Sequence, residues 1–126
     1  MEKDTNLGLE GLDPLSFFEE GGPKRGKQEF RVKMDGKIFF FRTADNRGRF
    51  ERNPSSFLPQ FGGHCAMACG LYGGLKPGDI NHYRIVAGRL YLFSSEQAMF
   101  WWEKLPVLRS WGASHYERKF RIRVKS

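Results

Sequence analysis

The sequence predicts a small α+β fold: a single domain in which two β-hairpins pack against short helices. Three observations carry that prediction. Two β-rich runs are each broken by a residue-glycine pair, Asp35-Gly36 and Ala87-Gly88, and such pairs suit tight hairpin turns. Each hairpin is followed by hydroxyl residues that can cap a helix, Thr43 in the first case and Ser94 or Ser95 in the second. Finally, 40% of the 126 residues are apolar and 15% aromatic, enough to fill a core in a chain of single-domain length and too much for wholesale disorder.

Residues 1–12 lack periodicity and read as a mobile acidic leader. Asp13-Pro14 opens a short apolar stretch over residues 15–18, closed by Glu19-Glu20-Gly21-Gly22-Pro23. Residues 28–34 place Phe30, Val32 and Met34 on one side of an alternating strand, and residues 37–42 supply its partner. Thr43 is placed to cap a helix over residues 44–52 that stops before Pro54, with Phe50 as its buried anchor and Gly48 as its weak point. After the break at residues 59–63, residues 64–69 suit a short helix ended by a glycine-rich run, residues 70–78. The second hairpin joins residues 83–86 to 90–93. The next helix, over residues 96–105, sets Met99, Trp102 and Leu105 at helical spacing. Pro106 ends or kinks it, and a shorter helix through Trp111 can follow. The folded domain thus spans 13–115, with Phe39, Phe41, Trp102 and Trp111 in its core. A basic tail over 116–126 alternates Phe120, Ile122 and Val124 with Arg121, Arg123 and Lys125, as either an edge strand or a disordered arm. The one recurrence visible is coarse, a hairpin followed by a helix.

The net charge of +7 is uneven. Residues 1–22 carry −5, residues 23–52 carry +6, residues 53–115 carry +2 and residues 116–126 carry +4. Such asymmetry can attract nucleic acid, an anionic membrane or an acidic partner, or it can be a solvated face covered by the acidic head. No apolar run approaches the ~18 residues of a membrane-spanning helix. The N-terminus shows no apolar signal-peptide core, so the expected location is cytoplasmic, or exported if a signal has been removed.

Several runs are similar to the YHS-domain proteins of bacteria. Gly11-Leu12-Asp13-Pro14-Leu15-Ser16-Phe17-Phe18 resembles their Gly-x-Asp-Pro-x-x-Tyr/Phe-Phe opening. The block from Asn53-Pro54 through Pro59-Gln60-Phe61-Gly62-Gly63-His64-Cys65-Ala66 resembles their Asn-Pro…Pro-Gln-Tyr-Gly-Gly-Tyr-Cys-Ala signature, and Ile85-Val86-Ala87-Gly88-Arg89-Leu90-Tyr91-Leu92 their second hairpin. The resemblance covers residues 11–113. It implies a small α+β, YHS/TRASH-like domain and a broad association with heavy-metal handling. That association rests on a branch with an Asp-Pro-x-Cys and a Phe-Cys-Ser-x-x-Cys motif. Here Ser16, Arg42 and Asn46 stand at those cysteine positions, and none is a soft-metal ligand. The family's best-known metal site therefore does not transfer to this chain.

What remains is His64-Cys65-Ala66-Met67-Ala68-Cys69. Thiolates and thioethers select Cu(I), and thiolate with imidazole suits Zn(II). On a helix Cys65 and Cys69 share a face at i and i+4, so they are the expected ligands, with His64 or Met67 assisting. Against this, free cysteine and methionine are among the commonest core residues, and Cys-x-x-x-Cys is a weak metal motif. A thiol enzyme is the less favoured reading. Adjacent helical residues diverge by about 100 degrees, which leaves His64 badly placed as a base for Cys65, and His82 and His115 are distant in sequence. Gly70-Leu71-Tyr72-Gly73-Gly74 lacks the Lys-Ser/Thr ending of a phosphate loop.

Two non-catalytic functions are expected. The first is a metal-binding or metal-sensing module using Cys65, Cys69, His64 and Met67 for Cu(I) or Zn(II). The second is an interaction module that docks an anionic partner through Arg42, Arg47, Arg49, Arg52 and the tail residues Arg118, Lys119, Arg121 and Arg123. Nucleic acid is the less favoured anion, because the aromatics are needed for the core.

Overall fold

The computed structural model describes residues 6–119, with side chains to Tyr116. The coarse α+β class holds: four α-helices and two antiparallel hairpins, each hairpin a separate two-stranded sheet. The chain forms two compact units, Met1–Leu58 and Pro59–Ser126.

In the first unit β1 (Lys27–Met34) pairs with β2 (Lys37–Phe41). Asp35 at φ 53° and Gly36 at φ 79° make the turn. Two left-handed residues give that turn the twist of the flanking strands, which is why the sequence places Gly there. Thr43 Oγ1 accepts the N–H of Asn46 at 3.0 Å and caps α1 (Ala44–Arg52), as the sequence predicts. Phe50 is fully buried and touches both Phe39 and Phe41, with ring centroids 5.6 and 4.9 Å away. Leu15 completes this core, and Phe30, Val32 and Met34 pack on it from the predicted side of β1.

The segment read as a leader joins the fold from Asn6. Its carbonyl accepts the N–H of Ile38, and Leu7 bridges Ile38 in parallel. Residues 1–5 lie outside the described residues. The Asp13-Pro14 stretch is a 3-10 helix, Pro14–Phe18. Asp13 is wholly buried, and its carboxylate accepts three bonds of 2.8 Å, from Leu15 N–H, Arg42 N–H and Asn46 Nδ2. One side chain thus ties the 3-10 helix, the end of β2 and the first turn of α1.

In the second unit β3 (Asp79–Val86) pairs with β4 (Arg89–Phe93), through Ala87 and Gly88, both at positive φ. Ser95, one of the two expected caps, accepts the N–H of Ala98 and starts α3 (Glu96–Lys104). Met99 and Trp102 are buried as expected. Leu105 is instead the residue after the helix and is exposed. The helix expected over 64–69 begins later, as α2 (Ala66–Tyr72), leaving His64 and Cys65 before it. Beyond Pro106, α4 (Val107–Lys119) runs well past Trp111 and takes in the first residues of the expected tail. It does so because Leu108 and Gly112 form its buried face against α2. At that crossing a Cβ on Gly70 would stand 2.6 Å from the Leu108 carbonyl oxygen. Only glycine allows so close an approach. Trp111 therefore falls outside the core predicted for it, whereas Phe39, Phe41 and Trp102 lie inside. The tail from Phe120 onward lies outside the described residues.

The two units repeat one backbone. β1, β2 and α1 recur at a constant offset of 52 residues as β3, β4 and α3, with every boundary matched. Both hairpins carry their register irregularity at the same place, between Lys27 and Arg31 and between Asp79 and Tyr83. Three successive left-handed residues precede each unit's first helix, Leu9-Glu10-Gly11 and Phe61-Gly62-Gly63. The bonds recur too: Asp13 N–H to the Lys24 carbonyl at 2.8 Å and Cys65 N–H to the Lys76 carbonyl at 2.7 Å, Gly26 N–H to Gly11 and Gly78 N–H to Gly63. Identical pairs include Gly11/Gly63, Gly26/Gly78, Gly36/Gly88, Phe41/Phe93 and Pro54/Pro106. Those are the residues the backbone itself demands, so the duplication is almost silent in the sequence.

Replacing Asp13 with Ala leaves two N–H groups and an amide without their acceptor in a buried place, where each loss costs about 1–3 kcal/mol. Asp13→Ala is expected to destabilise the protein by about 3 kcal/mol or more, measured by urea unfolding. Thr43→Ala, which removes a cap, is expected to cost about 1 kcal/mol.

Candidate functional site

The expected metal residues fall at the start of α2. Cys65 is the residue before the helix, held by its N–H to Lys76 and by a bridge to Leu92 in β4. Cys69 lies one turn in. The two are not joined in a disulfide and are only 1% and 0% exposed, within a cluster that includes Phe61, Tyr91, Phe93, Met99, Trp102 and Leu108. Cys69 Sγ donates to the Gly112 carbonyl at 3.5 Å, a bond made available by the close α2–α4 crossing. Met67 is half-buried and packs on the same cluster.

The imidazoles are engaged elsewhere. His64 Nδ1 lies 2.7 Å from the Phe61 carbonyl oxygen, and His115 Nδ1 lies 2.8 Å from the Cys69 carbonyl oxygen. A carbonyl only accepts, so in each case Nδ1 holds the proton and Nε2 is the remaining ring nitrogen. His115 thus meets the backbone of Cys69 rather than its thiol. His82 Nδ1 lies 3.7 Å from Asp79 on β3. Among the described residues no group of three or more His, Cys, Asp or Glu is arranged to hold a metal ion.

The repeat explains why a cysteine stands at position 65. Asp13 is its counterpart, and Asn46 corresponds to Ala98. In the first unit this point is polar, a carboxylate satisfied by an amide and two N–H groups. In the second it is apolar, a thiol and a methyl among aromatic rings. Both solutions bury the same backbone, the first through hydrogen bonds and the second through packing, in a cluster where Trp102 Nε1 is buried with no hydrogen-bond partner among the described residues.

The expected basic surface gathers on α1 and its neighbours. Arg42 Nη1 pairs with Glu19 Oε1 at 2.9 Å. Arg47 lies over the Phe30 ring at 5.8 Å and Arg49 over the Phe57 ring at 5.9 Å. Arg49 and Arg52 occupy the last turn of α1, where a positive charge also suits the helix dipole. Among the described residues, Arg47, Arg49 and Arg52 have no carboxylate within ion-pair distance. The side chains of Arg118 and Lys119, and all of Arg121 and Arg123, lie outside the described residues.

One set of exposed residues was missed in the sequence. Phe100, Trp101, Leu105, Val107 and Trp111 are all large, apolar and exposed. Phe100 and Trp101 lie on α3, Leu105 follows it, and Val107 and Trp111 belong to α4, which extends further than Pro106 and the residues after it suggest.

No family model, curated protein or solved structure matches the chain. No helix among the described residues is long and apolar enough to cross a membrane.

The burial of both thiols sets an expected reactivity. A thiol reagent should leave Cys65 and Cys69 untouched in the native protein and modify both in denaturant. Rapid native modification of either would show that the cluster opens to solvent.

Proposed function

We propose that the protein is a non-catalytic interaction module that docks an anionic partner through the guanidinium groups of α1. The observation that carries this reading is the state of Arg47, Arg49 and Arg52: three cations on one short helix with no carboxylate neutralising them among the described residues, two of them with the guanidinium carbon 5.8 and 5.9 Å from a phenylalanine ring centroid. Cation–π attraction to a ring helps place a guanidinium without using up its N–H donors. A carboxylate or phosphate oxygen is the natural acceptor for such an edge. The net charge of +7 also favours a partner that carries negative charge.

The metal-binding reading of Cys65, Cys69, His64 and Met67 draws less support. Two thiols inside an aromatic cluster are already accommodated by packing and by the Gly112 carbonyl. An ion there would need deprotonated sulfur and further ligands brought in by rearrangement. The YHS-type resemblance adds little to the metal reading, since its best-known ligand positions are Ser16, Arg42 and Asn46 here.

Two experiments separate the readings. Retention on a polyanion resin such as heparin should fall steeply with salt and drop severalfold for the Arg47→Gln, Arg49→Gln, Arg52→Gln variant, while Cys65→Ala and Cys69→Ala leave it unchanged. Anaerobic titration of the reduced protein with Cu(I) or Zn(II) against a chelator should give no stoichiometric binding. Tight binding that the cysteine variants abolish would reverse the assignment in favour of a metal module.

A further inference from the structure

The repeat supplies an internal control for the surface of the second unit. Phe100, Trp101, Leu105 and Val107 correspond, 52 residues back, to Gly48, Arg49, Asn53 and Ser55. Arg49, Asn53 and Ser55 are exposed like their counterparts. The same helix and the same exit therefore form with polar residues at these places. Folding does not require the apolar set, and exposing it costs solubility. It is retained in one copy of the motif and absent from the other, which is the pattern expected of a surface that meets a partner.

The set is continuous along the chain. The Phe100 and Trp101 rings touch edge to face, with centroids 5.2 Å apart. Leu105 and Val107 flank Pro106 at the corner between α3 and α4, and Trp111 follows Val107 by one turn on α4. Trp101 is 53% exposed and Trp111 49%. Two cations sit among them: Lys104 Nζ lies 5.1 Å over the Phe100 ring, and Arg109 is exposed beside the buried Trp102. The one acid of the segment, Glu103, is already paired with Arg84 at 2.6 Å.

We infer that this corner is a membrane-surface docking site and that its occupant is a bilayer carrying anionic lipid. Phenylalanine and tryptophan rings with aliphatic neighbours prefer the boundary between headgroups and acyl chains, and flanking lysine and arginine add attraction to negative headgroups. Charge argues against a second copy of the chain, since each copy carries +7 and the corner adds cations on both sides of such a contact. A single-stranded nucleic acid would use parallel stacking platforms, whereas these rings are perpendicular and their neighbours Leu105 and Val107 offer no π-face. The docking is peripheral, consistent with the absence of a membrane-crossing helix among the described residues. This inference does not rest on the arginines of α1.

The test is co-sedimentation of the full chain with vesicles of equal parts phosphatidylglycerol and phosphatidylcholine, beside phosphatidylcholine alone. Wild type should bind the mixed vesicles at least tenfold more tightly than the neutral ones, and its tryptophan emission should shift to the blue. The variant Trp101→Gln, Leu105→Asn, Val107→Ser, which borrows two residues from the first unit, should melt like wild type and lose most of that binding. The Arg47→Gln, Arg49→Gln, Arg52→Gln variant should keep it. Wild type left in the supernatant with no emission shift would overturn the inference. So would equal binding by the corner variant, or loss by the α1 variant alone, which would assign the lipid to the basic surface instead. Sedimentation showing a wild-type dimer that the corner variant dissolves, without vesicle binding, would replace the bilayer with a second copy.

Discussion

Each unit closes at a single buried point, just after three left-handed residues, where the chain enters its first helix. In the first unit the point is Asp13. Its carboxylate has no water to turn to, and it is satisfied only because Leu15, Arg42 and Asn46 arrive together. That demand couples elements far apart in sequence: the 3-10 helix cannot form as it does unless β2 ends and α1 begins in the right place. A buried carboxyl group with three hydrogen-bond donors tolerates little displacement, so it fixes geometry as much as it contributes stability.

The second unit reaches the same closure by other chemistry. Cys65 replaces the carboxylate, Ala98 replaces the amide, and the neighbourhood is filled by Phe61, Tyr91, Phe93 and Trp102. Here packing does what hydrogen bonds do in the first unit, and α4 covers the cluster through the close approach of Gly70 and Leu108. Of the two thiols that attract attention in the sequence, Cys65 stands where the first unit has Asp13, and Cys69 where it has Phe17.

Repetition also changes how the surface is read. An exposed tryptophan in an isolated fold is ambiguous, because folded proteins expose much apolar area without purpose. An exposed tryptophan at a position where the same backbone elsewhere carries arginine is a choice the fold did not impose. The two units differ most where folding asks least: arginines on α1 of one, aromatic and aliphatic side chains on α3 and its exit in the other.

The sequence by itself determined the local elements. Gly36 and Gly88 set the hairpin turns because they accept positive φ, and Thr43 and one of Ser94 and Ser95 start helices because a hydroxyl oxygen reaches an otherwise unpaired N–H; the structure selects Ser95. Alternation put Phe30, Val32 and Met34 on the core side of β1, and Pro54 and Pro106 stopped α1 and α3. These are short-range constraints, each readable within a few residues. Tertiary structure decided what depends on distant partners. It drew residues 6–12 into the first unit by pairing with Ile38, and it moved the start of α2 past Cys65. It carried α4 beyond Trp111 because Leu108 and Gly112 had a helix to pack on, and that same register turned Trp111 outward. It also exposed the duplication, which few identities betray, since a backbone repeats wherever glycines, caps and core volumes recur while the remaining side chains are free to diverge.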